Sequence, residues 1–393
     1  MRQASLNKII GNQGIFVDGD WVESKDQDPN GDIRLIQLAD IGDGIFINKS
    51  NRYLTSEKAK ELKCTFLEQG DLLIARMPDP LGRACIFPQI EIPCVTVVDV
   101  CIVRPDKNIV SSEWLKLLIN SHGFRKAINK YITGTTRQRI SRGNLEKIKF
   151  DIPPLEDQER IVKIFDQAEA LRKNRKQAIG FLDDYLTSVF LEMFGDPVNN
   201  PKRWTKQKFK KLGTLDRGKS KHRPRNAPEL LGGNHPLIQT GDIANADVYI
   251  EKYNSTYSDI GLKQSKKWPK GTLCITIAAN IAKTGILKID ACFPDSVVGF
   301  TADTNKTNSI FIHFWMSFFQ KILESNAPES AQKNINLRIL RELEVVNPPL
   351  ELQNKFSEIV EKTESLKQKM LVQYEELEKQ FQALMQKAFN GTL

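Results

Sequence analysis

The second half of this chain repeats the first, and that repeat limits the possible folds more than any single motif does. Pro153-Pro154-Leu155-Glu156-Asp157-Gln158 returns as Pro348-Pro349-Leu350-Glu351-Leu352-Gln353, 195 residues on (153 to 348) in a chain of 393. At the same offset Ile164 meets Ile359, Leu171 meets Leu366, Leu182 meets Leu377 and Phe194 meets Phe389. Further upstream, Leu35-Ile36-Gln37-Leu38-Ala39-Asp40-Ile41 echoes Leu237-Ile238-Gln239-Thr240-Gly241-Asp242-Ile243. Gly70-Asp71-Leu72-Leu73-Ile74 likewise echoes Gly271-Thr272-Leu273-Cys274-Ile275. Ordered matches with a gapless tail are too many for coincidence. The tail matches better than the segments before it, so the halves share a plan while their globular surfaces differ.

Each half opens with a mixed stretch of ordinary domain size. Short β-type runs such as Leu72–Ala75, Cys94–Val103, Leu273–Ala278 and Val297–Thr301 sit between Gly, Pro, Asp and Asn turn signals. Helices are predicted over Ser112–Asn120 and Ile310–Glu324. Each half then closes with a long helix. The proline pairs suit a helix start, and the acids after the first pair suit the positive end of its dipole. Apolar residues at spacings of three and four form a near-heptad seam. Its main members are Ile161, Ile164, Leu171, Leu182 and Tyr185 in the first helix, and Phe356, Ile359, Leu366, Met370 and Leu377 in the second. Gly195-Asp196-Pro197 and Asn390-Gly391 are stop signals. The expected division is therefore a globular region at 1–152, a long helix at 153–195, a second globular region at 196–347 and a second long helix at 348–393. If the helices pair, the order of segments makes them antiparallel and coiled-coil-like. The fold class is α+β, with a pseudo-two-fold internal repeat.

Hydrophobic residues at 40% are enough for real cores, and a net charge of +9 favours a polyanionic partner, nucleic acid ahead of membrane. The six cysteines lack C-x-x-C spacing and lie in apolar runs, which fits buried free thiols in a reducing compartment rather than zinc. The polar start Met1-Arg2-Gln3-Ala4-Ser5 does not read as a signal peptide, and no apolar run reaches the ~20 residues that span a bilayer. A cytoplasmic location is the expectation.

Two kinds of segment are candidates for touching nucleic acid. One is the basic run opening the second half, from Lys202 through Lys211 and on to Arg217, Lys219, Lys221, Arg223 and Arg225. Such a stripe can neutralise phosphates. The other is the polar loop before each proline pair. In the first half it offers Thr136, Arg137, Gln138, Arg139, Ser141 and Arg142, and in the second Lys333, Asn334, Asn336 and Arg338. Arg, Gln and Asn read guanine and adenine edges bidentately, and matched positions carry different residues, as readers of different sequences would. Some of these side chains would position on phosphate without specifying.

Two apparent catalytic motifs fail on context. Gly213–Ser220 fits G-x-x-x-x-G-K-S, but a charged segment precedes it and Pro224 and Pro228 forbid the helix that must follow. Asn347-Pro348-Pro349-Leu350 is like the N-P-P-aromatic motif of adenine methyltransferases, yet Leu350 cannot stack on a flipped base. His122, His222, His235 and His313 lack Cys or Asp partners in sequence. The competing enzyme reading, a DNA methyltransferase or nuclease-fused recogniser, needs a cofactor loop or metal carboxylates, and neither stands out.

Together these features resemble the specificity subunits of type I restriction-modification systems, across nearly the whole chain. The residues that carry the resemblance are the Gly134-Thr135-Thr136 loop, the proline-pair boundary found twice, Met193-Phe194-Gly195-Asp196-Pro197 leading to Pro201 and Trp204, and Gln239-Thr240-Gly241-Asp242-Ile243. The chain departs from the pattern at Leu352, which stands where the first copy has Asp157, and in its second loop, which lacks the Gly-Thr-Thr start. The resemblance implies two target-recognition domains alternating with two helical spacers, and binding to a bipartite, asymmetric site on double-stranded DNA. It implies two methyltransferase subunits using S-adenosylmethionine and ATP-dependent restriction-translocase subunits as partners. Chemistry would then belong to those partners, with no catalytic residue, metal or cofactor on this chain.

Overall fold

The computed structural model describes residues 2–12, 14–78, 80–278, 281–326 and 336–389, with the side chains of 319–326 left out of account. The chain divides into two compact units, one of Met1–Lys176 with Val372–Leu393 and one of Gln177–Leu371. Each long helix therefore contributes one part of its length to each unit: Leu155–Phe194 divides after Lys176, and Leu350–Phe389 after Leu371.

In the first unit a sheet runs in the order Ile15–Asp18, Val100–Arg104, Leu72–Ala75, Ala84–Ile86, with every neighbour antiparallel. A second sheet places Ile33–Ile36 between Tyr53–Leu54, antiparallel, and Cys94–Thr96, parallel. Arg2–Ala4 pairs with Phe150–Ile152, the strand that leads into the long helix. Leu72–Ala75 is buried throughout, as a central strand packed on both faces must be. Leu6, Phe16, Leu72, Ile74, Trp114, Leu115 and Phe124 build the core with Ile161, Phe165 and Met385 from the helices. The helix over Ser112–Asn120 is present, capped by the Ser111 hydroxyl, which accepts from the Trp114 N–H.

The second unit repeats this wiring. Its main sheet runs Gly213–Arg217, Val297–Ala302, Leu273–Thr276, Thr284–Leu287, again antiparallel, with Tyr249–Ile250 added in parallel. Leu231–Leu237 lies between Ser255–Tyr257, antiparallel, and Ala291–Cys292, parallel, and Lys267–Trp268 extends that sheet. Lys206–Lys208 pairs with Glu344–Val346 ahead of the second long helix. The core gathers Phe190, Phe194, Phe311, Phe314 and Phe356 into one aromatic cluster, with centroids of Phe190 and its neighbours 5.0–6.2 Å apart. The halves thus share strand order as well as sequence.

The repeated motifs carry specific local structure. In the first unit the Gln37 amide donates to Asp40 at 2.8 Å, and the buried Asp40 carboxylate also takes the Lys49 and Ser50 amides. In the second, the Gln239 amide donates to Asp242 at 2.8 Å. Both Gln-x-x-Asp echoes are capping boxes. The proline-pair motifs end on a buried glutamine. Gln158 accepts from the Ser111 amide at 2.8 Å and donates to Ile109 and Pro153 carbonyls. Gln353 accepts from the Thr307 hydroxyl at 2.8 Å and donates to the Pro348 carbonyl at 2.9 Å. Each glutamine fastens the start of a long helix to the globular region beside it. The first long helix stops at Gly195, whose φ of +76° closes a bond from its N–H to the Leu191 carbonyl.

The seam differs from its expected register. Ile161, Phe356 and Met370 are buried, Ile164, Leu182, Ile359 and Leu377 half-buried, and Leu171, Tyr185 and Leu366 exposed. The buried faces run instead through Phe165, Arg172 and Leu186, and through Val360, Lys367 and Phe381. In the first unit Arg172 pairs with Glu378 at 2.7 Å and lies over the Phe381 ring, which meets Phe165 edge-on. In the second, Lys367 pairs with Asp183 at 2.6 Å and Asp247 at 2.9 Å. Long cationic side chains pack their stems on the face and pair their heads, so they take positions that a hydrophobicity count assigns to the neighbouring leucines. In both units residue numbers fall on one helix as they rise on the other, so the packed segments are antiparallel.

Candidate nucleic-acid interface

The first candidate loop is a tight turn closed by a bridge between Thr133 and Arg139, whose amides and carbonyls exchange two bonds of 2.9 Å. Gly134 makes the turn possible: its φ is +88°, and a side chain there would come within 2.4 Å of the Arg137 carbonyl. Ile140 anchors the far side, fully buried, with its N–H donated to the Arg76 carbonyl at 3.0 Å. The result is an exposed crest on a fixed base, carrying Thr136, Arg137 and Gln138.

The other candidates of this loop have structural partners. Arg139 pairs with Asp99 at 3.2 Å, and Arg142 with Asp18 at 3.4 Å and with the Phe16 carbonyl at 2.9 Å. Both guanidiniums remain partly exposed, and exposed pairs of this kind contribute at most about 1 kcal/mol, so a phosphate can displace them. Ser141 is committed to capping the helix Arg142–Glu146 by accepting from the Asn144 N–H. Asn336, 195 residues on (141 to 336), caps Leu337–Glu342 in the same way. Arg338 is exposed, while Lys333 and Asn334 lie outside the described residues.

The basic run of the second half splits in two. Its first part is neutralised: Lys208 and Lys210 both donate to Glu342, whose carboxyl they hold down at about 2, Lys208 contributing most. Its second part forms an exposed loop that is pinned from below. Gly218 fits against the Phe293 and Pro294 carbonyls, each of which a side chain would meet at 2.3 Å. Gln264 accepts from the Lys221 amide at 2.6 Å and the His222 amide at 3.1 Å, and the Ser265 hydroxyl donates to the Lys219 carbonyl. Lys219, Lys221, Arg223 and Arg225 all project outward. Asp295 and Gln264, which organise this loop, gave no sequence signal, since each lies far along the chain from the residues it holds.

Gly213–Ser220 does not form a phosphate cradle. Gly213–Arg217 is a strand paired with Val298–Ala302, and no helix opens at Lys219-Ser220. The N-P-P-L tetrapeptide is a helix start, and Asn347 accepts from Gln353 rather than facing a base. His313 is buried, with Nδ1 2.9 Å from the Thr284 hydroxyl. Among the described residues no group of three His, Cys, Asp or Glu is arranged to hold a metal ion. Nor is any helix among them long and apolar enough to cross a membrane.

Comparison with known proteins places these features in a family. The model of the type I restriction modification DNA specificity domain matches twice, over residues 14–180 and 201–377. A chain described as the type I restriction enzyme MjaX specificity subunit of Methanocaldococcus jannaschii is 20% identical over 357 residues, covering 87% of this chain and 82% of that one. The type I restriction enzyme EcoBI specificity subunit of Escherichia coli is 23% identical over 311 residues, covering 69% of this chain and 64% of its own length. Among solved structures, a chain from a study of assembly and conformational transition of the type I restriction-modification system shares the fold. The match has a TM-score of 0.68 at 16% identity, over 100% of this chain and 98% of that one.

Proposed function

Because the chain belongs to the type I restriction-modification DNA specificity family, we propose that it serves its system by reading DNA in two parts, one part per globular region. The regions are 1–152 and 196–347, each followed by its spacer helix, 153–195 and 348–393. The observation that carries this reading is one sheet plan built twice with different exposed loops. A shared scaffold with Thr136-Arg137-Gln138 on one copy and Lys219-Ser220-Lys221 on the other suits two unlike half-sites. The two helices of 40 residues each would fix the distance between those half-sites, at ~60 Å of rod by 1.5 Å per residue. They would also offer docking faces to two methyltransferase subunits. S-adenosylmethionine and ATP with magnesium would be used by those methyltransferases and by restriction-translocase subunits, in the cytoplasm.

The test is DNA binding and methyl transfer with and without a purified cognate methyltransferase subunit. Binding should fall steeply with salt, as counterion release requires. The chain alone should transfer no methyl group, and adding the methyltransferase should give methylation at one bipartite motif. Methyl transfer by the chain free of its partner would overturn the division of labour.

A further inference from the structure

Resting on the reading that the second globular region contacts DNA, we infer that Asp295 is a positioning residue for a base-reading arginine, Arg225. Asp295 lies in the turn just before the strand Val297–Ala302 and gathers three arginines. Its carboxylate pairs with Arg225 and, at 3.4 Å, with Arg223, while its backbone carbonyl accepts from Arg217 Nε at 3.0 Å. The three do not play the same part. Arg223 spends its Nη1 on the Ser220 carbonyl at 2.6 Å and the His222 carbonyl at 2.8 Å, so it braces the loop. Arg225 meets the carboxylate through Nη2, and its side chain is 46% exposed.

A guanidinium has five N–H donors in a planar fork, so one edge can be held by a carboxylate while another faces a ligand. Guanine presents N7 and O6 as the matching pair of acceptors in the major groove. Holding the fork in advance lowers the entropy lost on binding and fixes the angle at which a base must arrive. The supports beneath are independent of Asp295: Gly218 against Phe293 and Pro294, and Gln264 beneath Lys221 and His222. The loop therefore keeps its backbone while Asp295 aims the side chain. A carboxylate among cations also repels phosphate, so Asp295 trades general affinity for discrimination. That trade separates aiming from simple bracing.

The experiment uses the full chain with its methyltransferase subunit and compares the methylated motif of the parent with those of Asp295→Asn and Arg225→Lys. Random-sequence duplex is the second probe, titrated against salt. Asp295→Asn should bind random duplex at least as tightly as the parent, and should lose about tenfold or more of its discrimination at one guanine-containing pair. Arg225→Lys keeps the charge but not the fork and should relax the same pair. If both variants melt as the parent does and keep every position of its motif, or weaken all positions equally, the inference is wrong while the two-part reading stands. If Asp295→Asn does not fold, Arg225→Lys alone decides by the same criterion. A parent that yields no sequence-specific methylation defeats the underlying reading instead, and this inference with it.

Discussion

His313 sits inside the second unit, where burial holds its imidazole down at about 4 against the opposing pull of Asp247. Its folded pKa lies below the ordinary 6.5, so the unfolded chain takes up the proton first as pH falls. The stability that depends on a neutral ring is complete above pH 6.5 and is lost between there and about 4. At 1.36 kcal/mol per unit its full size is of the order of 3 kcal/mol. The parent should therefore lose urea resistance across that window faster than His313→Gln does, and equal slopes would assign the pH dependence to other groups. On the surface, Arg137 and Arg139 share one turn but differ in commitment, since Arg139 already has Asp99. Arg137→Ala and Arg139→Ala should each weaken DNA binding and flatten the salt slope by about one unit if a phosphate contact is lost. Unchanged affinity and slope in both would remove this turn from the interface.

At the scale of elements, the two long helices are tied down at their starts and polar toward their middles. Gln158 and Gln353 lock each start to its globular region, and Arg172 and Lys367 occupy central buried positions. If the helices set the gap between half-sites, adding one heptad to each, beside Gln177 and beside Val372, keeps the buried face in phase. The rod then lengthens by roughly 10 Å, which is about three base pairs. The recognised gap should widen by up to that amount, less whatever the turn of the duplex disallows. A folded, active variant that keeps the parental gap would show that the helices are not the ruler. The long helices were readable from sequence because prolines and a glycine punctuate them and their period is strong. The strands Leu72–Ala75 and Val297–Ala302 were readable as apolar runs between turn residues. The seam register was not, because Arg172 and Lys367 earn their positions through partners more than 180 residues away in sequence. For the same reason Asp295 and Gln264 were invisible beneath the basic loop, while the loop itself stood out by charge.

For the whole molecule the central claim is that one scaffold, built twice, reads two different stretches of DNA. The shared strand order explains why the echoes Gln37-x-x-Asp40 and Gln239-x-x-Asp242 persist although the loops differ: they shape the scaffold, and the loops face the ligand. A region whose scaffold is common and whose loops are its own should be exchangeable. The most direct measurement replaces residues 198–347 with the matching segment of a relative of different specificity and sequences the methylated motif made with the methyltransferase subunit. One half of the motif should change to that of the donor, with the other half and the gap retained. A motif changed in both halves, or in neither, would contradict it.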